Sequence, residues 1–236
     1  MRTKTKIFAI AALGTLLGTV VAHAHVGVAS GPATANVTQE VTFSVGHGCL
    51  GSTVDTYRVR VEIPAGVTNV RALTSDFGKP TLEKDGGGVV TAVVWQKSVD
   101  DLVEGDTNYY KLTMRVRPPN APFTKISFPV YQTCRDLAGV ESTNDWVGTP
   151  TLPDGGLTSP DPAPVVTVMP ARVPGWNKYP IPVAIKDLSI FNDALIVWKG
   201  SAAYSKNPNT AAQITSEPGV TALTELAAGD EIWVKY

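Results

Sequence analysis

The sequence is poor in the residues that bind soft metals and in charge of either sign. It contains three histidines, two cysteines and three methionines, and charged residues make up 17% of its 236 residues, with a formal net charge of −1. Nucleic acids and anionic lipids attract strongly basic proteins, so this composition argues against binding to such polyanions. A metal site in this chain has to be built from very few side chains, and the isolated methionines do not form the clusters that hold Cu(I).

Long hydrophobic runs are also scarce, apart from one near the start of the chain. Three basic residues precede an uncharged apolar run over 7–21, which is too short to span a bilayer as an ordinary helix. Ala22 and Ala24 follow it and supply the small residues that a signal peptidase requires. We therefore predict that residues 1–24 are a signal peptide cleaved between Ala24 and His25, and that the mature protein is periplasmic or secreted by a bacterium. Cleavage removes three of the 20 Lys and Arg residues and none of the 21 Asp and Glu residues, which leaves a net charge of −4.

The two cysteines are Cys49 and Cys134, which are far apart and form no Cys-x-x-Cys motif. In an oxidising compartment such a pair favours a disulfide over a metal pair or a redox motif. The long loop that this bridge closes gives it a stabilising effect of about 4 kcal/mol in the chain-entropy model.

Turn residues are abundant, with 21 glycines and 18 prolines, and they separate short segments in which apolar and polar residues alternate. A period of two is the pattern of half-buried antiparallel strands. Asp85 is followed by three glycines between two such segments, which indicates a tight hairpin because glycine accepts a positive φ. We predict strands over 37–45, 57–63, 81–84, 89–96, 109–117 and 125–133. Short strands at this spacing indicate a sandwich or barrel of about 130 residues.

The composition shifts to Pro, Gly, Asp, Ser and Thr over 149–164, which indicates a linker or a long surface loop. Beyond it we predict strands over 165–169, 194–198, 220–223 and 231–235, and one or two helical turns over 210–216. A segment of roughly 70 residues is marginal as an independent fold, so we expect it to pack on the sandwich.

The predicted fold is therefore all-β. It is an antiparallel β-sandwich of immunoglobulin or cupredoxin type over 25–150, a linker or long loop over 151–164, and a smaller β-rich C-terminal extension over 165–236.

His25 would be the first residue of the mature chain. A terminal histidine offers both its amine and its own Nδ1 to one metal ion as a chelate, which no internal histidine can do. Both groups are available as bases around neutral pH, and their nitrogen character suits Cu(II) above other divalent ions. We therefore predict one Cu(II) ion per chain at this residue; the alternative is that the histidine is an accident of processing.

His47 is the other histidine of the mature chain. A strand over 25–30, a turn at Gly31 and Pro32, and the strand over 37–45 form a predicted hairpin, which brings the end of the second strand beside the start of the first. The string that follows, Gly46-His47-Gly48-Cys49, therefore lies near the mature N-terminus. His47 is either a second ligand or a loop histidine that bonds to backbone in a glycine-rich turn.

A nitrogen chelate on Cu(II) is usually completed by an oxygen donor. Glu104 and Asp106 precede a predicted strand and are the candidate carboxylates, although most exposed acids in turns are merely solvated. Trp146 is a candidate cap that shields the site from water; its simpler interpretation is a core or edge aromatic.

Several separated strings resemble the YcnI-like proteins, which are exported bacterial copper-binding domains of β-sandwich fold. The strings are 22–26 around the predicted cleavage site, 43–53 with its His-Gly-Cys sequence, 61–67 and 146–148. They occur in the order of that family, and the similarity covers about residues 25–150. The His-Gly-Cys string is similar to one branch of the family, and the segments 193–200 and 229–236 resemble the extension of that branch.

The resemblance implies Cu(II) held by the N-terminal histidine, a carboxylate and a nearby tryptophan. His25 and Trp146 match the family's motifs position by position. The carboxylate does not transfer to one position, because Glu104 and Asp106 lie in slightly different registers. His47 belongs to the branch motif and is not a ligand in the single-histidine version, so the number of histidine ligands stays one or two.

We thus expect an exported Cu(II)-binding protein that buffers copper or delivers it to a periplasmic or membrane partner, and that is not an enzyme. Two alternatives stay open: a histidine-brace copper oxidase acting on polysaccharide, and a metal-free structural or adhesion sandwich. Nucleophilic hydrolysis has no support, because the chain contains no Gly-x-Ser-x-Gly elbow and the thiol beside His47 is Cys49, the predicted disulfide partner.

Overall fold

A computed structural model describes residues 25–50, 53–104, 107–149 and 157–236. The predicted signal peptide lies outside these residues, as do Asp106 and residues 151–156 of the predicted linker. The strands are β1 (Gly27–Val28), β2 (Ala33–Thr34), β3 (Gln39–Val45), β4 (Thr56–Glu62), β5 (Thr68–Ala72), β6 (Thr81–Lys84), β7 (Val90–Gln96), β8 (Tyr110–Arg117), β9 (Lys125–Ser127), β10 (Val130–Arg135), β11 (Glu141–Trp146), β12 (Val165–Met169), β13 (Trp176–Pro180), β14 (Ile196–Lys199), β15 (Ala202–Tyr204), β16 (Thr221–Ala222) and β17 (Glu231–Lys235). Helix α1 covers Pro208–Ser216, and 3-10 turns cover Val99–Asp101 and Leu188–Phe191.

Two antiparallel sheets face each other in the N-terminal part of the chain. One has the strand order β1-β3-β8-β5 and the other β11-β10-β4-β7-β6. In β3 the residues Val41, Phe43 and Val45 are buried while Thr42 and Ser44 are partly exposed, which is the predicted alternation. The predicted all-β antiparallel sandwich is therefore confirmed.

A third, small sheet closes one side of this unit. The predicted strand over 125–133 is in fact two strands, because β9 pairs with β12 while β10 pairs with β4. Pro129 lies between them, and it has no N–H with which to continue a ladder. Strand β12 also pairs in parallel with β2, so the segment 165–169, predicted as part of the extension, is hydrogen-bonded to strands of the sandwich unit.

The C-terminal residues form a separate five-stranded sheet with the order β13-β17-β14-β15-β16. Its inner face has its own core, which includes Val197, Ile232 and Val234. Phe123, from the loop before β9, is inserted into that core, with its ring centroid 5.5 Å from Phe191 and 5.6 Å from Tyr179. A side chain of the first unit is thus buried in the second.

A disulfide joins Cys49, in the loop after β3, to Cys134 in β10, with a Cα–Cα distance of 5.7 Å. The predicted bridge is confirmed, and it links the two sheets at the end of the sandwich where β3 ends and β8 begins. A disulfide of this kind is typical of an oxidising, extracellular environment.

Within the ranges given above, none of the helices has the length and apolar character needed to cross a membrane.

Candidate functional site

Both histidines of the predicted mature chain lie against the same tryptophan. Strand β1 pairs with the end of β3, with Gly27 opposite Ser44, so the residue before β1 lies near the residues after β3. The His25 ring packs edge-on against Trp146 with centroids 5.1 Å apart, and the His47 ring does so at 6.2 Å. The predicted hairpin thus brings these two distant sequence positions to one indole.

Trp146 is the last residue of β11 and is only 3% exposed. Its indole Nε1–H donates a hydrogen bond of 3.0 Å to Oε1 of Gln132. An indole held at both its ring face and its N–H has a fixed orientation. Trp146 therefore provides a rigid wall against which both imidazoles rest.

Gln132 connects the parts of this site, and it was not among the predicted site residues. Its side chain is fully buried, and its Nε2 donates to the backbone carbonyl of His47 at 2.7 Å and to Thr56 Oγ1 at 2.8 Å. The amide therefore joins the His47 loop, β4 and Trp146 in one network. The signal was present in the sequence: Gln132 stands at an inward position of a strand, between the buried residues Val130 and Cys134.

The ring of His47 is held by its own loop. Its Nδ1 contacts the carbonyl oxygen of Gly48, and since a carbonyl can only accept, Nδ1 carries the proton. The lone pair is then on Nε2, which is the arrangement usual in metal-ligating histidines that donate their other N–H to a backbone carbonyl. No residue with a side chain fits at position 48, because a Cβ added to Gly48 would lie 1.8 Å from the carbonyl oxygen of Val54.

Glu104, the candidate carboxylate that the structure describes, does not lie with the two histidines. Glu104 lines a cavity of about 270 Å³ together with Thr53, Asp55 and Asp136, and neither histidine lines that cavity. Asp106 lies outside the described residues. In the portion of the chain that the structure describes, no group of three or more His, Cys, Asp or Glu side chains is close enough to hold a metal ion. The site therefore consists of two imidazoles, one indole and the polar network behind them.

A buried ion pair, which was not predicted from the sequence, lies at the same end of the sandwich. The Nζ of Lys97 contacts Oδ2 of Asp55, and both side chains are almost fully buried. The Tyr110 hydroxyl donates to Oδ1 of Asp55 at 2.8 Å, and the backbone N–H of Val103 donates to Oδ2 at 3.2 Å. Lys97 lies under the rings of Phe77 and Tyr110, at 5.4 and 4.6 Å from their centroids. This cluster connects the start of β4, the end of β7 and the start of β8.

We expect Gln132→Met to loosen the histidine site and to lower the free energy of unfolding by about 1–3 kcal/mol, because the buried Trp146 N–H and His47 carbonyl lose their partner. Intrinsic tryptophan fluorescence and denaturant unfolding measure the two effects. Gln96→Met is the matched control, since the Gln96 amide bonds to the Tyr57 hydroxyl at an exposed position, and we expect a change within about 0.5 kcal/mol. Equal effects of the two substitutions would contradict the role of Gln132.

The part of the chain that contains the histidine site is similar to known proteins. Residues 25–168 match the family model described as "Domain of unknown function (DUF1775)". No curated protein matches the chain. A protein from Nocardia farcinica with an immunoglobulin-like fold has a TM-score of 0.50 and 20% identity, covering 61% of this chain and 98% of its own. BcpA, the major pilin subunit of Bacillus cereus, has a TM-score of 0.35 and 8% identity, covering 65% and 41%. The first similarity agrees with the immunoglobulin-like sandwich, and the second carries no conclusion.

Proposed function

Because the chain belongs to the DUF1775 family, the YcnI-like proteins, we propose that it is an exported protein that binds one Cu(II) ion at the mature N-terminal residue His25. The observation that carries the proposal is the shared contact of His25 and His47 with Trp146. In a chain with three histidines, the two that remain after the predicted cleavage meet at one place. A structural sandwich has no need of this arrangement.

Three nitrogen donors would bind the ion in this proposal. They are the amine of His25, which cleavage creates, its Nδ1, and Nε2 of His47. Nitrogen donors in a tetragonal arrangement suit Cu(II), and oxygen completes such a set. Asp106 is the proposed oxygen donor, because Glu104 lines a different cavity, and water serves where Asp106 does not reach the ion. Two residues that are not ligands support the site: Trp146 excludes water from one face, and Gln132 positions the His47 loop.

The proposed role is to buffer copper or to deliver it to a periplasmic or membrane partner. The mature chain carries −4, so a cation is attracted to the protein as a whole. We propose no catalytic residues.

A histidine-brace oxidase acting on polysaccharide is the second candidate, because that chemistry needs a second histidine and His47 lies beside the same indole as His25. Release of oxidised sugars from polysaccharide in the presence of peroxide and the copper-loaded protein would favour the oxidase over the carrier.

The experiment uses mature protein that begins with His25, verified by mass spectrometry of its N-terminus. We expect one equivalent of Cu(II) with nitrogen coordination in its electron paramagnetic resonance spectrum. His25→Ala removes the imidazole ligand and with it the chelate, so we expect it to weaken Cu(II) binding by more than about 100-fold. Loss of a residue that only hydrogen-bonds to a ligand typically weakens metal binding by about 10–100-fold. His47→Ala separates one-histidine from two-histidine ligation through the number of coupled nitrogens.

Mature protein whose His25 amine is acetylated is the matched control, since it keeps every side chain, converts the His25 amine to an amide and supplies no new amine. We expect the acetylated protein to bind weakly. Retention of one tightly held equivalent by His25→Ala, or by the acetylated protein, would contradict the proposal.

A further inference from the structure

The outward face of the C-terminal sheet carries three of the protein's five tryptophans. They are Trp176 in β13, Trp198 in β14 and Trp233 in β17, and these three strands are neighbours with β17 in the centre. Trp176 and Trp233 are 49% and 47% exposed. The core of this sheet lies on its other face, so the three indoles are not needed to fold it. We call this surface the tryptophan face.

The strand register fixes how the three indoles are arranged. Trp198 lies directly opposite Trp233, and Trp176 lies opposite Lys235, two residues along β17. Cβ atoms of opposite residues are about 4.5–5.5 Å apart and those of diagonal residues about 7–8 Å apart, so the indoles form a diagonal row across three strands. Together with Gly200 they line an open cavity of about 470 Å³. A Cβ at Gly200 would meet no atom within 4 Å, so this end of the row is accessible.

The charges around the row are mostly neutralised. Lys178 lies opposite Trp233 on this face and pairs with Glu231 at 2.9 Å, while Lys199, whose position alternates with Trp198 along β14, pairs with Asp230 at 2.6 Å. The Lys199 ammonium and the backbone N–H of Ala227 hold the pKa of Asp230 below its ordinary value, so that carboxylate is ionised at neutral pH. Lys235 lies 5.7 Å from the centroid of the Trp176 ring, and no ion pair to it exists among the residues covered by the structure. The tryptophan face therefore presents flat aromatic surface with one unneutralised cation.

This combination excludes two common ligands of exposed tryptophan. Anionic membranes are recognised by clusters of about four to eight Lys and Arg residues, and this surface has a single uncompensated one. Single-stranded nucleic acid also stacks on aromatic rings, but it requires a positively charged groove, and the mature chain is acidic. A ligand with flat apolar faces, many hydroxyl groups and isolated carboxylates matches both the indole row and Lys235.

We propose that the tryptophan face binds a β-linked polysaccharide that bears carboxylate groups. The apolar C–H faces of successive pyranose rings stack on the row of indoles, and Lys235 donates to a carboxylate borne by the polysaccharide at the end near Trp176. A row extended over three strands contacts several sugar rings, so each indole adds to one binding event. The site lies on a different sheet from the histidines and requires no metal, so it does not depend on the proposed copper function.

The test is a pull-down of the copper-free, full-length mature protein with purified peptidoglycan sacculi, whose β-linked strands bear carboxylates on their peptide stems. We expect binding that Trp198→Ala and Trp233→Ala each weaken by about 10-fold, in line with the loss of one aromatic contact. Trp233→Phe keeps a stacking ring and is expected to retain most of the binding. Because neither side chain belongs to the core on the other face of the sheet, far-UV circular dichroism and the unfolding midpoint are expected to stay unchanged.

Tyr109→Ala, at an exposed aromatic residue of the sandwich unit, is the matched control and is expected to bind like the wild type. His25→Ala is likewise expected to bind sacculi normally, so failure of the copper proposal and failure of this one are distinguishable. Absence of binding to sacculi, preferential binding to phosphatidylglycerol vesicles, or a self-association that the tryptophan substitutions abolish would overturn the proposal.

Discussion

Replacing Lys97 with methionine is expected to lower the free energy of unfolding by about 3–5 kcal/mol, the typical cost of leaving one partner of a buried ion pair alone. Asp55 is 1% exposed and keeps hydrogen bonds from Tyr110 and Val103, but its negative charge loses the Lys97 ammonium. Water does not reach the carboxylate, so no solvent replaces the lost cation. Denaturant unfolding followed by circular dichroism measures the change.

A double variant distinguishes the charge effect from lost packing. Lys97→Met together with Asp55→Asn removes both charges while keeping a side chain of similar size at each position. We expect the double variant to be more stable than Lys97→Met alone, because no uncompensated charge stays buried. Lys178→Met provides the exposed comparison, since the Lys178–Glu231 pair lies on the surface and such pairs contribute about 0–1 kcal/mol. A loss of less than 1 kcal/mol in Lys97→Met would contradict the interpretation.

Removing the disulfide through Cys49→Ala and Cys134→Ala together is expected to lower the free energy of unfolding by about 4–5 kcal/mol. The bridge spans a sequence separation of 85 residues, and it restricts the unfolded chain over that whole length. Both cysteine side chains are fully buried, so alanine leaves a small cavity and introduces no unsatisfied hydroxyl group.

The same substitution is expected to affect the histidine site, because Cys49 directly follows His47 and Gly48 in the loop that carries the imidazole. Copper affinity of the mature double variant, compared with the wild type under identical conditions, reports this effect. Wild-type protein with its disulfide reduced under mild denaturation is the chemical control and should unfold at the same denaturant concentration as the double variant. An unchanged unfolding midpoint in both would show that the bridge does not stabilise the fold.

Much of the sandwich was predictable because its strands follow the simplest pattern. The segments 81–84 and 231–235 form strands with the predicted limits, and the glycines after Asp85 form the predicted hairpin between β6 and β7. Alternation is a local property, so the sequence reveals it without knowledge of the fold. The split of 125–133 into two strands was not predictable in this way, because both halves have strand character and only their partners differ.

Most of the polar network behind the site was not predictable from local patterns. The alternation in β10 marks Gln132 as an inward position, but it does not reveal the partners of its amide. The neighbours of Asp55, Lys97 and Tyr110 along the chain do not indicate burial. Each becomes buried because sheets from distant parts of the chain pack over it. The tryptophan face was missed for a similar reason, since Trp176, Trp198 and Trp233 are far apart in sequence and meet only through strand pairing.

The sequence by itself determined the all-β class, the disulfide and the short set of residues from which a metal site has to be built. These follow from composition, from the period of two and from the scarcity of histidine and cysteine, all of which are independent of folding. Only the tertiary structure decided that His25 and His47 share Trp146, that Glu104 lines a different cavity, and that three tryptophans form one row. Strand order and register decide such neighbours, and they depend on the packing of the whole chain rather than on any one segment.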